Sequence, residues 1–182
     1  VSITFSVIAL IVLFFVFYAL LNFFSWLTGS PGRFRLWRSR RAERRDQDLL
    51  QSGWIHILEG RYNQAEKELT KLLTKSRSHK TKLVAGLASA RASHDLADYH
   101  RRDEALEVAQ KNAGEDPQLK LAYATAAAEM YLEQGLVQEA INLLQPVQDA
   151  SSRHFYATRL LLRAYRQLDN PERVYELTRL LL

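Results

Sequence analysis

The sequence lacks cysteine and has only seven glycines and four prolines among its 182 residues. Without cysteine it can form neither disulfides nor thiolate metal sites, a composition that fits a reducing compartment. The alternation of polar and apolar residues that marks strands is also missing, whereas alanine, leucine, glutamate, arginine, lysine and glutamine dominate after residue 46. We therefore predict an all-α protein.

Charged side chains are missing from the first 32 residues. As a helix, the uncharged segment VSITFSVIALIVLFFVFYALLNFFSWLT (1–28) is long enough to cross a hydrocarbon core of about 30 Å. A cleavable signal peptide has a shorter apolar core that follows basic residues, whereas the basic residues here come afterwards. The sequence thus predicts a transmembrane helix over residues 1–28.

Arginine is concentrated directly after this segment, in residues 29–46, which we call the collar. Seven of the thirteen residues in RFRLWRSRRAERR (33–45) are arginines, namely Arg33, Arg35, Arg38, Arg40, Arg41, Arg44 and Arg45. Positive charge close to a span is retained in the cytoplasm, so we expect the chain beyond the collar to be cytoplasmic. We also expect the collar to bind anionic lipid headgroups, with about 1 kcal/mol per arginine.

Nucleic acid is the other common partner of an arginine run. Residues 46–182, however, contain eighteen lysines and arginines against nineteen aspartates and glutamates. No wider basic surface follows the collar, and we therefore predict that the protein does not bind nucleic acid.

Residues 47–182 carry the pattern of tetratricopeptide repeats, which are helix-turn-helix units of about 34 residues. In GWIHILEGRYNQAEKELTKLL, the small residue Gly53 is followed by a turn glycine, Gly60, then by Tyr62 and by a small residue on the second helix, Ala65. Small side chains at these positions let the two helices of a unit approach closely. The first unit therefore fits the repeat well.

Three further units repeat this pattern more loosely, and the four together cover about 47–80, 86–118, 121–152 and 155–182. Their matching small residues are Ala105 in the second unit and Ala128, Gly135 and Ala140 in the third, whereas Asp169 and Val174 replace the usual glycine and alanine in the fourth. We predict a solenoid of stacked helical hairpins, with an irregular bundle of hairpins as the alternative.

The spacing of the units suggests one insertion. The second-helix positions 65, 105, 140 and 174 are 40, 35 and 34 residues apart, and we expect the extra residues in a polar loop, KSRSHKTK (75–82). The chain begins at Val1 and stops at Leu182 within an apolar helical pattern, so we also expect it to be part of a longer protein.

The order of an uncharged helix, an arginine collar that contains Trp37, and then LLQSGWIHILEGRYNQAEKEL (49–69) resembles the HemY family of Gram-negative bacteria. The resemblance implies a protein of the bacterial inner membrane with a cytoplasmic tetratricopeptide domain, linked to the late steps of protohaem synthesis. An unrelated flavin-dependent oxidase shares the name, but its GxGxxG dinucleotide-binding motif is absent from this sequence.

The first helices of the repeats line the inner groove of such an array. The predicted register places Trp54, His94, Glu129 and Arg163 at one equivalent groove position, while Tyr156, Arg159, Arg163 and Arg166 share one face of the fourth unit's first helix. Arginines with a tyrosine can hold the carboxylates of an acidic peptide or of porphyrin propionates through charge-assisted hydrogen bonds. A solvated helix face is the alternative.

Signatures of catalysis are missing, since the sequence has no nucleophile elbow, phosphate loop or cluster of acids, and we predict that the protein is not an enzyme. The five histidines are His56, His79, His94, His100 and His154, and no two show the i, i+4 spacing of a helical metal site. We predict no metal site. Haem iron can be ligated by histidine or tyrosine, and the sequence does not select one.

Three functions remain open. The first is a membrane-anchored scaffold that recruits enzymes of haem biosynthesis, and the second is a protein that binds or carries haem or porphyrin. The third is a general tetratricopeptide adaptor in envelope assembly or protein quality control. They differ in what fills the groove.

Overall fold

A computed structural model describes the backbone of residues 3–28, 31–150 and 154–181, and the side chains of residue 7 and of residues 10–23, 40–150 and 154–181. These parts of the chain contain nine α-helices and no strand, which confirms the all-α prediction. The chain divides into two compact units, Val1–Arg45 and Asp46–Leu182.

The first unit contains helix α1 (Ile3–Thr28) and the start of helix α2 (Pro31–Leu58). Helix α1 has no charged residue in its sequence. Over the described residues, no helix combines the length and the apolar character needed to cross a membrane. The side chains of Arg33, Arg35 and Arg38 lie outside the described residues, whereas the other four collar arginines are exposed on α2.

The second unit consists of helical hairpins. The end of α2 packs on α3 (Tyr62–Lys75), and the following pairs are α4 (His79–Asp95) with α5 (Tyr99–Ala113), α6 (Pro117–Gln134) with α7 (Val137–Ala150), and α8 (Phe155–Gln167) with α9 (Pro171–Leu180). The first helices of the last three hairpins also contact one another, α4 with α6 and α6 with α8. This arrangement is consistent with a helical solenoid, and we call α4, α6 and α8 the inner row.

Buried apolar side chains join each hairpin to the next. One cluster combines Leu69 and Leu72 of α3 with alanines of α4, and a second packs Leu106 of α5 against Met130 of α6. The largest cluster joins helices α6 to α9 around Leu144 and Leu161. Each hairpin has an apolar face that it cannot bury alone, so neighbouring hairpins stabilise one another.

The loop expected at 75–82 is shorter than predicted, and that prediction was wrong. Only residues 76–78 separate α3 from α4, which begins at His79. The reason is a helix cap: the Ser78 hydroxyl accepts a hydrogen bond from the Thr81 backbone amide at 3.3 Å, which satisfies a donor of the first turn. Helix α4 therefore begins inside the segment that was predicted to be a loop.

Small residues lie where the helices come closest. A Cβ atom added to Gly53 would lie 2.6 Å from Leu69 Cδ2, too close for any side chain without a shift of Leu69. The small residues of the later helices are also enclosed, since the described structure buries Ala65, Ala105, Ala128 and Ala140. These contacts explain the small residues at these positions.

Four turns connect the two helices of a hairpin with one residue in the left-handed region. Gly60 and Gly135 have φ angles of 72° and 87°, and Ala97 and Asp169 take the same place with φ angles of 57° and 50°. Glycine adopts this conformation without a steric cost, and aspartate tolerates it better than most residues. Asp169 thus completes the fourth hairpin without the usual glycine.

Candidate functional site

The inner row brings five of the seven predicted groove residues together. Glu129 of α6 and Tyr156, Arg159, Arg163 and Arg166 of α8 line one pocket. The other two lie elsewhere: Trp54 is 41% exposed on α2, and His94 belongs to α4. Trp54, His94, Glu129 and Arg163 are equivalent in the repeat pattern, but these four residues do not all line one pocket.

This pocket, which we call the arginine pocket, has a volume of about 540 Å³. Its remaining lining residues are Leu160, Leu162 and Gln167, all on α8. The side chain of Leu160 is buried and that of Leu162 is half-buried. The pocket thus combines an apolar part with a cationic one, as sites for amphipathic ligands do.

The lining of the arginine pocket is positively charged. It contains three arginines and one glutamate, which gives a net charge of +2. Within the described part of the chain, no carboxylate lies within ion-pair distance of Arg159, Arg163 or Arg166, and Arg159 Cζ lies 6.0 Å from the centroid of the Phe155 ring. All three side chains are exposed, so an anionic ligand can reach them.

Tyr156 adds a polar group at one end of the pocket. Burial raises the pKa of its phenol, and the neighbouring Glu129 carboxylate raises it further, while Arg159 acts in the opposite direction. The phenol is therefore held in its protonated form, in which its hydrogen bond with Glu129 contributes to the raised pKa.

The arginine pocket fits the propionate groups of a porphyrin better than it fits haem iron. Its three guanidinium groups suit carboxylates, but its eight lining residues include no histidine. Tyr156 is the available oxygen ligand, and the raised pKa of its phenol opposes the tyrosinate form that iron prefers. Carboxylate binding without iron ligation matches these residues best.

His94 is held by protein contacts on the other part of the inner row. Its side chain is only 9% exposed, and its Nε2 atom lies 3.1 Å from the Glu133 carboxylate. Glu133 also accepts hydrogen bonds from Arg91 Nη1 at 3.1 and 2.9 Å. Burial lowers the pKa of His94, against the attraction of Glu133. The α4 part of the row is thus neutralised internally, in contrast to the arginine pocket.

A buried arginine that the sequence did not single out lies next to His94. Arg102 of α5 is 1% exposed, and its guanidinium carbon lies 4.9 Å from the ring centroids of both Tyr99 and Tyr131. It donates hydrogen bonds to Asp103 at 2.9 Å and to Gln134 at the end of α6. Because its partners come from α5 and α6, Arg102 fastens the second hairpin to the third.

The described residues contain no group of three or more histidines, aspartates or glutamates that could hold a metal ion. His56 instead lies 3.7 Å from Glu68, which accepts a hydrogen bond from Ser52 at 2.6 Å. His79 contacts Asn112 at 2.9 Å, and His100 lies 3.6 Å from Glu104. These three histidines lie on different helices, and each has its own partner.

The helices and the pocket define a protein of stacked helical hairpins with a cationic pocket on its inner row. A comparison with protein families gives the family: the model of the HemY protein N-terminus matches residues 1–96, and the chain belongs to the HemY family. This match confirms the resemblance seen in the sequence. It ends before α5, so the arginine pocket lies beyond the matched region. A search of curated proteins finds no match to the chain.

Proposed function

We propose that this protein is an inner-membrane scaffold that acts in late protohaem synthesis by recruiting pathway enzymes to the cytoplasmic face of the membrane. The observation that carries the proposal is the arginine pocket, whose three guanidinium groups have no carboxylate within ion-pair distance among the described residues. Membership in the HemY family supports the connection with haem.

The anchor and its orientation rest on the sequence of the first 46 residues. Residues 1–28 carry no charge, and seven arginines follow within residues 33–45. A charged residue in the middle of a span costs about 2.5–3.5 kcal/mol, whereas arginines just outside the span interact with anionic headgroups and are retained in the cytoplasm. These residues support a membrane helix followed by a cytoplasmic repeat domain.

A reporter enzyme that is active only in the periplasm tests this orientation when it is fused after Leu182. We expect no reporter activity from the wild-type fusion. Replacing the seven collar arginines with glutamine removes the positive charge that retains this side, so we expect reporter activity to rise. Periplasmic activity of the wild-type fusion would refute the proposed topology.

Recruitment by the inner row has a direct physical basis. Arginines often bind carboxylates through two parallel hydrogen bonds, and charge-assisted bonds are about twice as strong as neutral ones. Some exposed arginines of the second unit have carboxylate partners, as Arg101 has in Glu66 and Arg173 in Glu176. The three pocket arginines, like Arg77 and Arg179, have none among the described residues, so they can bind an external carboxylate.

Co-purification from solubilised membranes tests the recruitment of enzymes. We expect enzymes of haem synthesis to be enriched with the wild-type protein, and to be reduced about tenfold when Arg159, Arg163 and Arg166 are all replaced by glutamate. The matched control replaces three exposed lysines of α3, Lys67, Lys71 and Lys75, with glutamate, which changes the net charge by the same amount.

The control should retain the partners, because it leaves the arginine pocket unchanged. Failure to enrich any haem-synthesis enzyme would refute the scaffold proposal. Equal loss of enzymes in both variants would show that net charge, and not the pocket, determines the association.

A further inference from the structure

The spacing of the pocket arginines along α8 suggests the form of the ligand. Arg159, Arg163 and Arg166 are separated by four and three residues. At about 1.5 Å of rise per residue, the first two lie about 6 Å apart along the helix axis, and the third lies about 4.5 Å further on. The arginine pocket therefore presents guanidinium groups in a row, about 10 Å long, and not at a single point.

An extended peptide has a repeat similar to the first of these intervals. Every second side chain points to the same side of such a chain, at intervals of about 6.6–6.8 Å. Carboxylates at alternate positions would thus meet Arg159 and Arg163 without distortion. Acidic side chains four residues apart on a helix repel one another, and this repulsion favours an extended conformation of an acidic peptide before it binds.

We propose that the arginine pocket binds a short acidic peptide segment of a partner protein, held extended along α8 with carboxylates at every second residue. This inference rests on the proposed function and gives the partner's chemistry at the same site. The segment is bound mainly by bidentate contacts to the arginines, since a guanidinium group matches the geometry of a carboxylate.

Two other lining residues limit where the peptide can lie. Glu129 is the one carboxylate in the lining, and it lies on α6, so it repels acidic groups from that wall and confines them to α8. Leu162, which is half-buried, offers contact to an apolar residue of the peptide. The expected motif therefore combines one apolar residue with alternating acidic residues.

Fluorescence anisotropy of a labelled peptide tests the proposal. The probe is a nine-residue peptide with one leucine near its start, three glutamates at alternate positions and serine elsewhere. One control peptide has glutamine in place of glutamate, and another has the three glutamates consecutively. The protein is the full chain in nanodiscs of zwitterionic lipid, so that the collar is presented identically in every variant.

We expect the alternating peptide to bind at least about tenfold more tightly than the glutamine peptide, and more tightly than the consecutive one. Raising the salt concentration should weaken binding, because exposed charges are screened. Replacing Arg159, Arg163 and Arg166 with glutamate should abolish binding, whereas the control change at Lys67, Lys71 and Lys75 should not. Both variants retain the collar, so a difference between them shows that the peptide binds to the arginine pocket and not to the collar.

Other results would overturn the proposal. Equal binding of the glutamate and glutamine peptides, unchanged binding to the arginine variant, or no binding of any peptide would each do so. Binding of mesoporphyrin without binding of the acidic peptide would assign the pocket to a porphyrin instead. If the triple variant loses its helical circular dichroism, Arg163→Gln replaces it in the same assay.

The failure of this proposal can be distinguished from failure of the scaffold. If no acidic peptide binds but haem-synthesis enzymes still co-purify through the pocket arginines, the peptide chemistry is wrong and the recruitment stands. If the peptide binds but no such enzyme co-purifies, the pocket is an acidic-peptide site in a protein with another role.

Discussion

Replacing Arg102 with alanine is expected to lower the free energy of unfolding by about 3–5 kcal/mol. Truncation of a large, fully packed side chain costs about 2–5 kcal/mol, and each cation–π contact adds about 0.5–2 kcal/mol. Arg102 is 1% exposed and has two such contacts, with Tyr99 and Tyr131. Its loss also leaves Gln134 without the hydrogen bond that Arg102 donates.

The adjacent arginine provides a matched control. The side chain of Arg101 is 57% exposed and forms ion pairs with Glu66 and Asp98 at 3.0 and 3.1 Å. Exposed ion pairs contribute little because water screens them, so Arg101→Ala should change stability far less than Arg102→Ala does. Urea unfolding of the solubilised chain, followed by circular dichroism, measures both.

Equal effects of the two substitutions would contradict the account of Arg102. Arg102→Lys provides a further check, because lysine keeps the charge but loses the planar group that lies between the two tyrosines. We expect it to recover only part of the lost stability.

Replacing Gly86 with leucine is expected to destabilise the second hairpin by about 3 kcal/mol, at the upper end for overpacking a core. A Cβ atom at Gly86 would lie 3.0 Å from both the Ala105 carbonyl oxygen and the Ala109 Cβ atom. Neither atom belongs to a flexible side chain that can move away. The larger leucine therefore has to separate α4 from α5.

Gly86→Ala is the graded comparison for this prediction. Alanine favours the helix by about 1 kcal/mol over glycine, and this gain opposes the close contacts of its Cβ atom. We expect a small net change for alanine and a large loss for leucine, both measured as urea midpoints. A leucine variant as stable as the alanine variant would show that α4 and α5 tolerate separation.

Local signals were sufficient to predict much of the fold. The all-α class, the turns at Gly60 and Gly135 and the grouping of Arg159, Arg163 and Arg166 depend on spacing within one hairpin or one helix, which a sequence displays directly. The turn at Ala97 was less visible because alanine rarely adopts a positive φ angle, and its conformation is imposed by the packing of α4 against α5.

Contacts between hairpins were harder to predict. Arginine is usually exposed, so nothing local to Arg102 indicates that tyrosines from α5 and α6 enclose it. The repeat register predicted His94 in the groove, but it did not indicate that this side chain is packed against Glu133 of α6. Both cases depend on contacts with residues of α6 that lie 29 to 39 positions away in the sequence, and single-sequence periodicity carries no information on such pairs.

The central claim is that the arginine pocket contacts haem-synthesis enzymes at the membrane. The most direct test places a photo-crosslinking amino acid at Leu162, which lines the pocket, and at Lys71 on α3, which is exposed and does not line it. In living cells, we predict that the amino acid at position 162 crosslinks to a haem-synthesis enzyme. Replacing Arg159, Arg163 and Arg166 with glutamate should abolish this crosslinked product, and the amino acid at position 71 should give no such product. Absence of any such enzyme from the products at position 162, or equal products at both positions, would contradict the account.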